Sequence, residues 1–229
     1  MLIKWGSIVV DGSGKLGGHV FSKSRGGATV RTLARANNPQ TTDQQIIRSR
    51  FTVLSQNWRE LTEVQRESWY DAETSYSRTN RFGDVVFLTG KNLYNSINAQ
   101  RLLIGLPILD LAPLPAVLPG FRLDSILINL SIPNFIIFGN FAIDQTYVVV
   151  ATQGLSQGVK DTSGRLRIIG VVTNTGGSGQ LGSAPVNYDL YVEKFGVPVA
   201  GTKVVVGVYS INESGQKSII SRRVATINP

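Results

Sequence analysis

The chain has no cysteine, one histidine and one methionine among its 229 residues. Without cysteine it builds no disulfide framework, no thiolate metal site and no cysteine nucleophile, and it fits either redox compartment. With His19 as the single imidazole, a histidine-built zinc site is not expected. The same shortage rules a Ser-His-Asp arrangement out of the C-terminal half, where Ser156 and Ser163 stand without a histidine. Long apolar runs are missing too. The richest, residues 102–121, is broken by Pro107, Pro113, Pro115, Pro119 and Asp110. It falls short of the roughly 18 unbroken apolar residues that read as a membrane helix, so no membrane contact is expected. The start, MLIKWGSIVVDGSG, has no long apolar core before a small-residue site, and a secretory leader is not expected.

Charged residues make up 17% of the chain and apolar residues 42%. That apolar share is too high, and the net charge of +8 too modest, for global disorder. The length suits one or two domains. The positive charge is local. Residues 1–50 hold eight Lys or Arg against two acids, residues 51–109 hold six of each, and residues 110–229 hold nine against seven. A basic N-terminal segment of this kind attracts phosphate or an acidic protein surface.

Residues 1–40 read as an extended arm. Short β-prone pieces at 7–10, 19–22 and 29–33 are separated by glycines at 12, 14, 17, 18, 26 and 27. The arm has too few apolar residues for a core of its own, and Asn37-Asn38-Pro39 stops it. A helix then starts at Thr41 or Thr42, with Gln44 or Gln45 at capping-box spacing. Ile47, Phe51, Leu54 and Trp58 recur on one face, while Arg48, Arg50 and Arg59 lie off it. Thr62 caps a second helix with Val64, Trp69 and Ala72 as its apolar face. A strand is expected within 84–89 and a third helix over 91–104. Residues 105–121 hold four prolines and read as a semi-stiff spacer, or as a long ordered surface loop.

From Arg122 the pattern turns to strands, at 123–132, 135–143, 147–152, 166–172, 188–195, 203–211 and 218–227. Ser163-Gly164, Gly176-Gly177-Ser178-Gly179, Gly196, Gly201 and Ser214-Gly215 part them. The expected fold is α+β: the basic arm (1–40), a three-helix docking domain (41–104), a linker (105–121) and an antiparallel β-sandwich (122–229).

Catalytic motifs are weak. Gly12-Ser13-Gly14-Lys15 has part of a phosphate loop, but Leu16 follows the lysine and no helix pattern begins. His19 has no carboxylate suggested beside it and reads as a packed arm residue. Paired carboxylates can cleave glycosides. The C-terminal half offers Asp144, Asp161, Asp189, Glu193 and Glu213, mostly at expected turns, where solvated surface is the usual role. No catalytic, cofactor-binding or metal-binding residue is assigned.

Trp58 and Trp69 are either an aromatic anchor for a partner or the core joining two helices. With Phe51 they are assigned to the core, because short helices need large side chains to bury enough area. For the arm two targets compete. Lys15, Lys23, Arg25, Arg31 and Arg35 suit the phosphates of DNA, but Trp5 and Phe21 are the arm's only aromatics for stacking on bases. Alternating residues such as Val20, Ser22, Thr29 and Arg31 suit strand addition to a neighbour's sheet. The second target is preferred. The expected protein interface is Lys15, His19, Phe21, Lys23, Arg25, Arg31, Arg35, Arg48 and Arg50.

One ordered set of motifs carries a resemblance. G-K-x-G-G-x-V-F-S-K-x-x-G-G spans Gly14–Gly27, followed by Arg31, N-P-x-T-x-x-Q-x-x-x-R-x-x-F within 38–51, W-x-x-L-T-x-x-Q-R-x-x-W over Trp58–Trp69, and L-T-G-x-N-L-Y over Leu88–Tyr94. These resemble small structural virion proteins of tailed bacteriophages, Bacteroidetes-phage-like proteins with a glycine-rich head among them. The resemblance covers about the first 95 residues. It implies a non-enzymatic homo-oligomer assembled in the host cytoplasm into a neck, ring, tail or capsid-surface layer. Its partners would be other virion proteins and its own copies. Further on, Ala200–Asn212 with Ser214-Gly215 resembles the last hairpin of a fibronectin type III or immunoglobulin-like domain, without that fold's buried tryptophan on an early strand. The competing expectations are a nucleic-acid-binding protein that uses the arm and a virion-associated glycan-binding or glycan-cleaving module.

Overall fold

The computed structural model describes residues 2–4, 12–24, 27–34, 37–80, 82–131, 134–160, 162–174, 179–180 and 184–228. The strand expected at 7–10, most of the glycine turn at 176–179, Trp5, Arg25, Arg35 and Asp161 lie outside the described residues. The fold is α+β. The chain divides into two compact units, one of residues 1–99 and 108–115, the other of residues 100–107 and 116–229.

The first unit opens on a four-stranded antiparallel sheet. Its strands are β1 (Leu2–Ile3), β2 (Gly14–Leu16), β3 (His19–Ser24) and β4 (Gly27–Thr32), in the order β1-β4-β3-β2. Gly17 holds φ +54° in the two-residue turn joining β2 to β3, a left-handed position that glycine takes without a Cβ penalty. Helix α1 (Thr42–Glu60) starts at Thr41, whose hydroxyl accepts from the Gln44 N–H. Helix α2 (Glu63–Asp71) has a full capping box between Thr62 and Gln65. A short hairpin, β5 (Ser77–Thr79) with β6 (Val85–Phe87), leads to α3 (Gly90–Leu103), whose residues 100–103 belong to the second unit.

The first unit's core is Leu54, Trp58, Leu61, Trp69, Leu93, Tyr94 and Ile97. The Tyr94 ring lies 5.1 Å from Trp58 and meets Trp69 edge-on at 5.2 Å. Such aromatic pairs add about 0.5–1.5 kcal/mol each beyond their burial. Phe51 does not join them. It is 47% exposed, as is Ile47, although both continue the stripe of Leu54 and Trp58. The reason is length. At 1.5 Å per residue α1 runs about 28 Å and α2 about 14 Å, so the shorter helix cannot cover the whole stripe. Val64, expected inside, is 72% exposed on the outer side of α2.

Residues 108–115 form a strap on this unit. The Trp69 indole N–H donates to the Asp110 carbonyl at 2.7 Å, and the Tyr76 hydroxyl donates to the Pro113 carbonyl at 2.7 Å. Asn98 grips Leu109 twice, donating to its carbonyl at 3.1 Å and accepting from its N–H at 2.8 Å. This part of the proline-bearing segment is hydrogen-bonded chain, not a free spacer.

The second unit is built on β7 (Leu123–Asn129), β8 (Asn134–Gly139), β9 (Thr146–Ala151), β10 (Arg167–Thr173), β11 (Gly179–Gln180), α4 (Ala184–Phe195), β12 (Lys203–Ile211) and β13 (Ser221–Asn228). The sequence pattern leads to two facing antiparallel sheets. The strands instead join in one seven-stranded sheet, order β10-β9-β12-β13-β7-β8-β11, with β13 and β7 parallel. One core runs through it, including Leu123, Ile128, Phe135, Tyr147, Val206 and Ile227, together with Tyr191 of α4. Strands so far apart in the order share a core because the twisted sheet curls around it.

Residues 188–195, expected as a strand, are the body of α4. Asn187, Tyr191 and Phe195 recur every four residues and pack inward, with the Asn187 amide donating to the Phe135 carbonyl at 3.2 Å. Gly196 at φ +80° ends the helix, its N–H donating to the Val192 carbonyl at 2.8 Å. On the other side of β9 and β12 a smaller cluster holds Val148, Val150 and Ile211 against Leu103, Ile104 and Ile220.

Candidate assembly surface

Side chains alternate faces along a strand, and directly paired residues share a face. In the arm sheet Gly14, Lys15 and Leu16 oppose Phe21, Val20 and His19. His19, Val20, Phe21, Ser22 and Lys23 oppose Thr32, Arg31, Val30, Thr29 and Ala28. One face therefore carries Leu16, His19, Phe21, Val30, Lys23 and Ala28. The other carries Lys15, Val20 and Arg31 in a row across three strands, with the Ser22 and Thr29 hydroxyls 2.7 Å apart beside it. The arm's cations are thus divided between two faces.

Lys15, His19, Lys23 and Arg31 are exposed, Phe21 is half-buried, and Leu16 is 72% exposed. Ala28 is the only buried side chain described in residues 12–34. Arg48 and Arg50 stand apart from this sheet in the sequence, on α1. The Arg48 guanidinium donates to Asn38 Oδ1 at 2.6 Å and so ties the segment before the helix to its first turns. Arg50 is half-buried.

The outer face of α2 carries a second pattern, of acids rather than apolar residues. Glu63, Glu67 and Asp71 recur every four residues and form one exposed ridge. Val64 and Tyr70, 72% and 50% exposed, flank it. Carboxylates at i,i+4 repel, at about 0.2–0.5 kcal/mol per pair. Asp71 also lies at the negative end of the helix dipole, and no base stands in the last turn. None of the three carboxylates makes a hydrogen bond or ion pair with a described residue. The four-residue spacing of these acids is present in the sequence, interleaved with the apolar residues of the same helix.

In the second unit a cleft of about 300 Å³ is lined by Ile104, Leu106, Asp144, Gln145, Thr146, Ile211, Asn212 and Glu213. Asp144 holds φ +58°, and its N–H donates to the Asn174 carbonyl at 2.7 Å. Nearby in the sequence of α3, buried Arg101 donates from Nε to the Pro107 carbonyl at 2.7 Å. Burial lowers its guanidinium pKa, and Glu213 opposes that shift. Of the acids considered for glycan chemistry, Asp144 and Glu213 line this cleft, while Asp189 and Glu193 are exposed on α4.

No family model, curated protein or solved structure matches this chain. Among the described residues no group of three or more His, Asp or Glu is placed to hold a metal ion. No described helix is long and apolar enough to cross a membrane. The surface features left open among the described residues are the thinly covered arm sheet, the open half of the α1 stripe and the acidic ridge of α2.

Proposed function

We propose that this chain is a structural, non-enzymatic subunit of a phage virion layer, in a neck, ring, tail or capsid surface. It joins its neighbours through the arm sheet and the helices. The observation that carries this reading is the arm sheet, in which one described side chain out of four strands is buried. Ordering a residue costs about 1–2 kcal/mol of backbone entropy. A sheet that buries so little of itself needs a surface beyond it to offset that cost. In a symmetric layer each weak joint is repeated, and the repeats act together.

The motif order from Gly14 to Tyr94 supports the phage setting. The test is deletion of residues 1–36. The truncated chain should fail to enter the native assembly while its β-sheet circular dichroism persists. Normal incorporation of the truncation would sink the reading.

A further inference from the structure

We infer that the Lys15–Val20–Arg31 face of the arm sheet docks on the outer face of α2 in a second copy of this chain, a head-to-tail contact. The inference rests on the assembly reading above and names the partner. The two faces match in charge. Lys15 and Arg31 are exposed cations with no ion-pair partner among the described residues, and Glu63, Glu67 and Asp71 are exposed acids in the same condition. They also match in span. Lys15 and Arg31 lie two strand spacings apart, about 10 Å, and the ridge from Glu63 to Asp71 is about 12 Å long.

The match extends to apolar surface. Val20 sits between the two cations, and Val64 and Tyr70 border the acids. Docking puts cations among carboxylates that repel one another in the single chain, so the ridge gains from a partner what its own helix does not supply. The open α1 stripe is a poorer receptor for this face. Arg48 and Arg50 stand beside Ile47 and Phe51, and they repel the incoming lysine and arginine.

A contact between two different surfaces of the same chain leaves each bound copy with one free arm and one free ridge. Such heterologous joints close into a ring or grow into a filament.

The test is the size of the purified full chain in solution, by light scattering during gel filtration. At about 50 mM salt, where surface charge is least screened, the chain should form species larger than a dimer. At about 500 mM salt the association should weaken by at least about tenfold. Two neutralised variants follow. One carries Lys15→Gln and Arg31→Gln, the other Glu63→Gln, Glu67→Gln and Asp71→Asn. Each alone should be a monomer with unchanged circular dichroism. Mixed, they should stop at a one-to-one dimer, since only one working joint remains. A chain with both faces reversed, Lys15→Glu and Arg31→Glu with Glu63→Lys, Glu67→Lys and Asp71→Lys, should associate again. A wild-type chain that stays monomeric at low salt overturns the inference, as do neutralised variants that still assemble. If the monomeric chain still needs residues 1–36 to enter the native assembly, the partner is a different protein and the assembly reading stands. If it does not need them, both fall.

Discussion

Trp69 has no solvent exposure, and its indole N–H is satisfied by the Asp110 carbonyl. Truncating it removes a large apolar surface and also breaks the hydrogen bond that holds the Asp110 carbonyl of the strap. Trp69→Ala should therefore cost about 3–5 kcal/mol. Phe51→Ala should cost less than about 1 kcal/mol, because nearly half of that side chain already meets water. Urea denaturation of the full chain, followed by tryptophan fluorescence and circular dichroism, measures both. Equal losses would mean that the open half of the α1 stripe is covered after all. The contrast shows what periodicity carries. It named the face of α1 correctly from Ile47 to Trp58, yet it holds no information on the length of the neighbour that covers the face. The capping residues were more legible. Thr41, Thr62 and Gln65 act locally, through hydrogen bonds within three residues, and sit where their spacing puts them. Tyr94 lay beyond any such signal, since its burial depends on Trp58 and Trp69 arriving from two other helices.

Among the elements, the arm sheet decides how far charge alone accounts for the N-terminal segment. The register sets Lys15 and Arg31 on one face and Lys23 on the opposite one. A duplex lying on either face meets two described cations at most. Each neutralised phosphate contributes about 0.9 to the slope of log affinity against log salt. The expected slope is therefore about −2, with no gel shift near physiological salt. A slope of about −5 or steeper would return the arm to nucleic acid. The division of cations by face was present in the sequence as alternation, but it could be read only once the pairing of β2, β3 and β4 was known. Helix α4 shows the opposite failure. Tyr188, Leu190, Tyr191 and Val192 make a short aromatic and β-branched run that looks like a strand, while Asn187, Tyr191 and Phe195 also fit a helical period. A short segment rich in aromatic and β-branched residues satisfies both templates. The deciding signals were at its ends, Pro185 in the first turn and Gly196 just beyond the last residue. That helix packs on the core face of the single sheet, where a sandwich has a second sheet, so the state of this one segment decides the architecture of the unit.

At the scale of the molecule, the ion pairs among the described residues contribute little, and buried phenols set the pH limit. Between described residues the ion pairs are Lys4–Asp84 at 3.4 Å and Arg122–Asp124 at 2.6 Å, both largely exposed. Exposed pairs of this kind are worth about 0–1 kcal/mol. Each unit instead holds a tyrosine whose hydroxyl is pushed up to about 12: Tyr94 in the first, by burial and the negative charges of Asp110 and Glu60, and Tyr191 in the second, by burial. Burial also raises Tyr147 and Tyr209. An unfolded tyrosine ionises near 10. Below that pH both states keep the proton, and the stability bound up in these groups is fully present. Above it the unfolded chain releases protons that the native chain retains, so stability falls as pH rises from 10 to 12. Absorbance of phenolate near 295 nm, recorded with circular dichroism on the same samples, tests this. The hydroxyls of Tyr94 and Tyr191 should ionise only as the ellipticity collapses. If Tyr94 and Tyr191 ionise near pH 10 while the circular dichroism holds, the packing around them is not as described. Because each unit carries its own buried phenol, the loss should strike the helical core and the β-sheet alike. A variant with Tyr94→Phe should keep its helical signal to higher pH while the sheet signal fails at its former value.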